Sequence, residues 1–302
     1  MRRFPDVFKS PRTANYQLKA MRTLDLLKRV ESHYSATFPY CYIITRKGTR
    51  LMNETFGFDL PHAREDARTP QNLMHELLLT DIQLAISLTA KVRPDLSIRF
   101  FERRYHVKGK QLLYSAYGDR QALEPDLGFL LAIERNGQRH LLQHFVEFDR
   151  GTESPKVFRR KLEQYDAWFQ SDGRDYLCDL YRRHGANDPK PHYRLLVVSR
   201  RRKGTSDTDR LATLFTQSLN LPDATKNRIF FTSGDVLKNY EQDDQPLAAE
   251  LWWQVRFARP WLPAFATIAN EVGDAANKRP VYNFVADQLA LMPRHTLFPP
   301  MM

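Results

Sequence analysis

Cysteine is scarce in this chain: Cys41 and Cys178 are the only two among 302 residues. They lie far apart and match no zinc-ligand spacing. That excludes a disulfide framework and a cysteine-rich metal site, and it points to a reducing, cytoplasmic setting. Long apolar runs are also missing, and none approaches the roughly 20 residues that span a bilayer. The opening MRRFPDVFKSPRTANYQ is basic but has no apolar stretch behind it, so it does not read as a secretory signal. No internal repeat or low-complexity block occurs. Acidic residues are in deficit, 35 Asp and Glu against 46 Lys and Arg, for a formal net charge of +11. Core material is plentiful, with 42% hydrophobic and 12% aromatic residues.

The positive excess is concentrated at one end. Residues 1–50 contain eleven Lys and Arg against Asp6, Asp25 and Glu31, a net of +8, whereas residues 51–100 are net acidic. A basic module joined to a more neutral body is the electrostatic pattern of a nucleic-acid binder.

The stretch SPRTANYQLKAMRTLDLLKRVE, residues 10–31, reads as one helix. Ser10 suits the N-cap and Pro11 the first helical position. Ala14, Leu18, Met21, Leu24 and Leu27 form an apolar stripe, while Arg12, Asn15, Tyr16, Lys19 and Arg22 lie toward the other side. A short strand, Tyr42 to Thr45, then leads through Arg46, Lys47 and Gly48 into a second helix. A basic helix followed by a basic hairpin is the order of a winged helix. Its recognition helix enters the major groove of double-stranded DNA and its wing touches phosphates. Only nine residues precede Ser10, so such a module is short, borrows support from elsewhere, or is completed by a second subunit as a homodimer. The plainer reading is an amphipathic helix packed on a hairpin.

The polar stretch PHAREDARTP, residues 61–70, reads as a linker, which divides the chain into a DNA-binding module over 1–60, a second domain over 71–240 and a helical extension over 241–302. In the second domain a helix over 71–92 carries His75 and Glu76 in its first turns. Strands are expected at 97–107, 127–149, 193–200 and 228–233, with the turn Asn136-Gly137 making a hairpin within 127–149. Helices are expected at 154–170, over DYLCDLYRRHG, and between the last two strands. That order gives an α/β fold with a mixed sheet, an antiparallel hairpin feeding parallel crossovers. The aromatic segment AAELWWQVRFARPWLPAFATIANEV is either a docked helix or a partner surface.

One strand ends in carboxylates. In HFVEFDRGTES, Glu147 and Asp149 share a face with Phe145, because strand side chains alternate. Asp126 opens the hairpin's other strand just after Pro125. It lies as far before the turn as Glu147 lies after it, so the two meet at one end of the hairpin. Carboxylates that converge repel one another unless a cation sits among them. Oxygen-only ligands suit Mg²⁺ or Mn²⁺, with Asp126 and Glu147 as the ligands. Such an ion can activate water and steady charge on a phosphate. Each residue also has a plainer reading: Glu147 and Asp149 paired to Arg150 or Arg159, Asp126 starting a turn, Glu76 favoured by a helix dipole, and Lys161 solvated. Arg200 and Arg201, in SRRRKG after a strand, either clamp phosphates or lie in a solvated loop.

The arrangement resembles the PD-(D/E)XK nuclease superfamily. Pro125-Asp126 supplies its first half and Glu147-Phe148-Asp149 its second, with Asp149 where the superfamily's lysine stands. The resemblance implies a nuclease-like fold, an acid from the preceding helix at Glu76, and a lysine moved to the following helix at Lys161. A longer string is more specific: HELLLTDIQLAI, PD, VEFDRGTESPKVFRRKLEQYDAWF and RLLVVSRRRK, behind YIITRKGTRLM. It resembles the bacterial replication-relaxation protein family, related to MobC-type plasmid relaxases. That resemblance implies action on plasmid or origin DNA with other replication or mobilisation proteins, and it marks Tyr165 as a motif residue. Two functions follow. One is a metal-dependent DNA nickase using Glu76, Asp126, Glu147, Asp149 and Lys161. The other is a DNA-binding regulator that retains the nuclease fold without cleavage.

Overall fold

A computed structural model describes residues 10–30, 41–56, 70–103, 111–116, 118–135, 137–149, 151, 153–187, 189–199, 207–233, 252–272 and 278–292. The chain forms two compact units, Met1–Leu78 and Leu79–Met302.

The first unit begins with α1, Pro11–Thr23, capped by Ser10, whose hydroxyl accepts from the Thr13 amide at 3.1 Å. The helix stops eight residues earlier than the apolar spacing suggests, at Thr23 rather than 31. Asp25 takes a left-handed conformation at φ 57°. The Leu26 amide then donates back to Met21 O at 2.9 Å and the Asp25 amide to Arg22 O at 3.0 Å. This double closure satisfies the last helical carbonyls and turns the chain outward. It delivers the chain into β1, Leu27–Val30, which pairs antiparallel with β2, Cys41–Ile44. Of the expected apolar stripe, Ala14 is buried, whereas Met21 and Leu24 are exposed.

Thr45 joins the pieces of this unit. Its hydroxyl donates to Asp25 O at 2.6 Å and accepts from the Gly48 amide at 3.0 Å, which caps α2, Arg46–Phe56. Arg46 and Lys47 therefore lie in the first turn of α2, the second helix that the sequence places after the strand; the segment joining the two strands lies outside the described residues. Gly48 is required by close approach, since a Cβ there would lie 2.3 Å from Leu26 O.

Helix α3, Pro70–Val92, runs through the boundary into the second unit. There the sheet contains β3 (Leu96–Glu102), β6 (Leu127–Arg135), β7 (Gln138–Asp149), β8 (Tyr193–Ser199), β9 (Ile229–Ser233) and β10 (Trp253–Gln254). Among the described residues its order is β10-β9-β8-β7-β6-β3. Strands β7, β8 and β9 are parallel, and the other pairs are antiparallel. This is the mixed α/β sheet that the alternation of strands and helices implied. A separate hairpin, β4 (Leu112–Ala116) and β5 (Asp119–Leu123), adds an element that the sequence pattern does not signal. Asp172 fastens it by accepting from the Ser115 amide at 2.8 Å.

One face of the sheet carries α4 (Pro155–Trp168), a π turn at Phe169–Gly173, α5 (Arg174–Arg183) and α6 (Asp207–Ser218). Ser154 caps α4 through the Val157 amide at 3.3 Å, as its sequence predicts. Phe145 of β7 meets the Trp168 ring edge-on at 5.4 Å, and Tyr165 stacks on Tyr193 at 6.2 Å. These rings anchor α4 over β7 and β8, and each such pair adds about 1 kcal/mol beyond area burial. Tyr181 of α5 accepts from the Gln143 amide at 2.9 Å and donates to His192 O.

The aromatic C-terminal segment is docked. Trp253 lies in edge strand β10, with its indole donating to Leu289 O at 3.1 Å. The short helix α7 (Asp223–Lys226) precedes β9, and a 3-10 stretch at Val255–Trp261 leads into α8, Leu262–Val272. Helix α9, Arg279–Leu291, packs along α6. No helix among the described residues is long and apolar enough to cross a membrane.

Candidate functional site

The carboxylates do converge at the hairpin's end. Leu127 pairs with Val146, which brings Asp126 beside Glu147 as equal spacing from the turn required. Gly137 occupies that turn at φ 70°, a conformation glycine adopts without strain. Phe145 and Glu147 face α4, and Glu147 is only 2% exposed. Asp126 accepts from the Phe148 amide at 2.8 Å, which ties the first strand to the second where their pairing ends.

Both Glu147 oxygens are engaged from α4. Tyr165 donates its hydroxyl to Oε1 at 2.6 Å, and Lys161 donates Nζ to Oε2 at 2.8 Å. The two donors stand four residues apart and therefore share one helix face. Lys161 also donates to Glu153 at 3.1 Å. Converging carboxylates call for a cation, and here the Lys161 ammonium fills that place. Burial pushes Glu147 up to about 7, with Lys161 pulling it down and the Asp126 charge raising it further. Burial opposes the Lys161 charge, but Glu147, Asp126 and Glu153 together hold its pKa above the usual lysine range. The Tyr165 phenol is raised by burial and then by Glu147, so it remains a donor.

Asp149 is held separately. Arg210 of α6 grips it in a fork, Nε to Oδ2 at 2.6 Å and Nη2 to Oδ1 at 2.5 Å. The same guanidinium donates to Glu153 O at 2.9 Å, and the Gly151 amide donates to Asp149 at 3.0 Å. Of the two arginines that the sequence offered, Arg159 pairs with Glu163, and Arg150 lies outside the described residues. Arg210 and Glu153 belong to the candidate site, and sequence reasoning missed them. Arg210 arrives from a helix sixty-one residues away, and no local pattern marks it. Beside Asp149 in the parallel register stand Ser199 and Ser233. The Ser199 hydroxyl is fully buried and has no hydrogen-bond partner among the described residues.

Among the described residues no group of three or more His, Cys, Asp and Glu side chains is disposed to hold a metal ion. Around Asp126 and Glu147, the residues the sequence offered to Mg²⁺ or Mn²⁺, Lys161 and Tyr165 each donate to one Glu147 oxygen. Glu76 and His75 are half-buried on α3 in the first unit.

The basic candidates behave differently. Arg12, Asn15, Tyr16, Lys19 and Arg22 recur at helical spacing on α1 and are exposed, Tyr16 by 74%. Beside them an open cleft of about 470 Å³ is lined by Arg22, Asp25, Leu27, Lys28 and Arg29. The sequence does not single out Lys28 and Arg29, because the apolar spacing assigns them to the tail of a helix. Arg46 is exposed at the start of α2, whereas Lys47 bends back and donates to Leu24 O at 3.0 Å, closing the end of α1. Arg200 and Arg201 lie outside the described residues.

No curated protein and no solved structure matches the chain. Residues 2–176 match the family described as replication-relaxation. The match takes in the basic first unit, the hairpin with its carboxylates, and α4 with Lys161 and Tyr165. It covers more than half of the sequence, and the chain therefore belongs to the replication-relaxation family, which gives it a role in the replication of plasmid or mobile-element DNA.

Proposed function

We propose that the chain is a DNA-binding protein of plasmid or mobile-element replication. Its first unit acts as a winged-helix-like module, and its second is a nuclease-like α/β scaffold that does not cut. The order α1, β1, β2 supports the first part, with Arg12, Lys19 and Arg22 exposed along α1 and Lys28 and Arg29 beside them. These cations meet phosphates, and Asn15 and Tyr16 on the same face are placed to reach base edges. The observation that carries the second part is that each of these three acids is engaged from within. Lys161 and Tyr165 hold Glu147, Arg210 holds Asp149, and the Phe148 amide holds Asp126.

A metal-dependent nickase is the second reading, and one contact favours it. Lys161 reaches Glu147 at 2.8 Å, where a lysine displaced from position 149 would serve. Supercoiled plasmid carrying its own origin, incubated with the full chain and Mg²⁺ or Mn²⁺, separates the two. Tight binding with no open circles supports the regulator. Open circles that disappear in Glu147→Ala, while binding persists, establish the nickase.

A further inference from the structure

The helices of the second unit leave a cleft that none of the strand-end acids lines. Helix α9 packs along α6 and against α8. Where its first turn meets them, a cavity of about 180 Å³ remains. Phe265, Ala269 and Val272 recur at four and then three residues along α8, so one stripe of that helix makes an apolar wall. Val281 of α9 continues the wall. Phe265 and Val281 both belong to the hydrophobic core, which fixes the wall from behind. The rim is polar. Lys278 stands at the N-cap of α9, and the half-buried Tyr282 lies one turn on, on the same side. Gln217 of α6 and Arg159 of α4 join them.

We infer that this cleft binds a small organic carboxylate, with an apolar body the size of one ring against the α8 wall and its charged end at Lys278 and Tyr282. Size, charge and hydrogen bonding each support it. A closed apolar cavity of about 150 Å³ takes one benzene ring. A cleft of about 180 Å³ therefore takes a ring or a short chain, and it falls short of the roughly 300 Å³ at which pockets for larger ligands begin. The charged side chains that line it are both cations, and among the described residues no Asp or Glu lines it. Arg159 already donates to Glu163 at 2.9 Å, which leaves Lys278 as the uncommitted charge. Lys278, Tyr282 and Gln217 make no side-chain hydrogen bond or ion pair among the described residues. A carboxylate accepts from an ammonium and a phenol at once, and its single charge matches the one lysine. The apolar wall adds the affinity that a bare carboxylate lacks, since each buried CH₂ contributes about 0.8 kcal/mol.

Isothermal titration calorimetry of the full chain tests the site with three probes. Phenylacetate carries both the ring and the charge, phenylacetamide keeps the shape without the charge, and acetate keeps the charge without the ring. Phenylacetate is expected to bind saturably, and each of the other two at least about tenfold more weakly. Lys278→Gln, at an exposed position, should weaken phenylacetate by about tenfold and bring it level with phenylacetamide. Tyr282→Phe should weaken it several-fold, and Ala269→Leu, which fills the cleft, should abolish binding. Melting temperatures close to wild type show that each variant is folded, and Lys278→Arg, which keeps the charge, should restore most of the affinity. Three results would each overturn the site: no saturable binding of phenylacetate by wild type, equal affinity for phenylacetate and phenylacetamide, or wild-type affinity in both Lys278→Gln and Ala269→Leu.

Discussion

Changing Glu147 to Gln isolates the buried carboxylate. In the folded chain its pKa is about 7, against an ordinary value of 4.5. The folded form therefore binds the proton more tightly than the unfolded form. This contribution to stability is complete below the ordinary value, is lost as pH rises toward 7, and is flat above it. The size of the shift corresponds to about 3 kcal/mol across that window. Lys161 does not blur the signal, because its raised pKa keeps it charged throughout and its contribution falls only at alkaline pH. Glutamine fills the same space without titrating. Urea unfolding followed by tryptophan fluorescence is the assay, since Trp168, Trp252, Trp253 and Trp261 all lie in the second unit. The wild-type stability relative to Glu147→Gln should fall by about 3 kcal/mol between pH 4.5 and 7. A difference that stays constant over that range would show that Glu147 is not held in a dry, strained setting, and the reasoning would be refuted.

Further outcomes rest on the same network. Replacing Arg210 with Met strands Asp149, which is 4% exposed, and should cost about 3–5 kcal/mol in urea unfolding; adding Asp149→Asn should recover part of the loss, and no recovery would contradict the pairing. Tyr165→Phe leaves Glu147 Oε1 without its donor and should cost about 1–3 kcal/mol; it should also raise the pKa of Glu147, seen as an extension of the pH slope beyond 7. Gly48→Ala puts a methyl group against Leu26 O, so the first unit should lose structure and duplex binding while tryptophan fluorescence stays native. A variant that binds like wild type would overturn the close approach.

The hairpin was legible because an Asn-Gly turn sets register by counting outward, and the count alone placed Asp126 beside Glu147. Lys161 and Tyr165 were legible as motif residues, and their four-residue spacing accounts for their shared target. Arg210 was not legible, since a partner supplied by a helix beyond β8 in the chain leaves no mark near Asp149. The end of α1 misleads for a local reason. Leu24 and Leu27 continue the apolar spacing, while Asp25 adopts the left-handed turn more often taken by glycine. That turn hides β1 from the sequence, and with it Lys28 and Arg29. The hairpin at β4 and β5 is hidden by its polar residues, of which Asp119 and Arg120 are exposed. The C-terminal tryptophans signal burial, but only the pairing of Trp253 with Phe231 shows that they complete the sheet's own edge.

The most direct test of the account is the salt dependence of duplex binding by the full chain with Arg12, Lys19 and Arg22 all changed to Ala. Alanine favours an exposed helix, so α1 is retained. The account predicts weaker binding at every salt concentration and a slope smaller by roughly three, one for each cation removed from the phosphates. Binding with an unchanged slope, or an absence of binding by wild type at low salt, would contradict it.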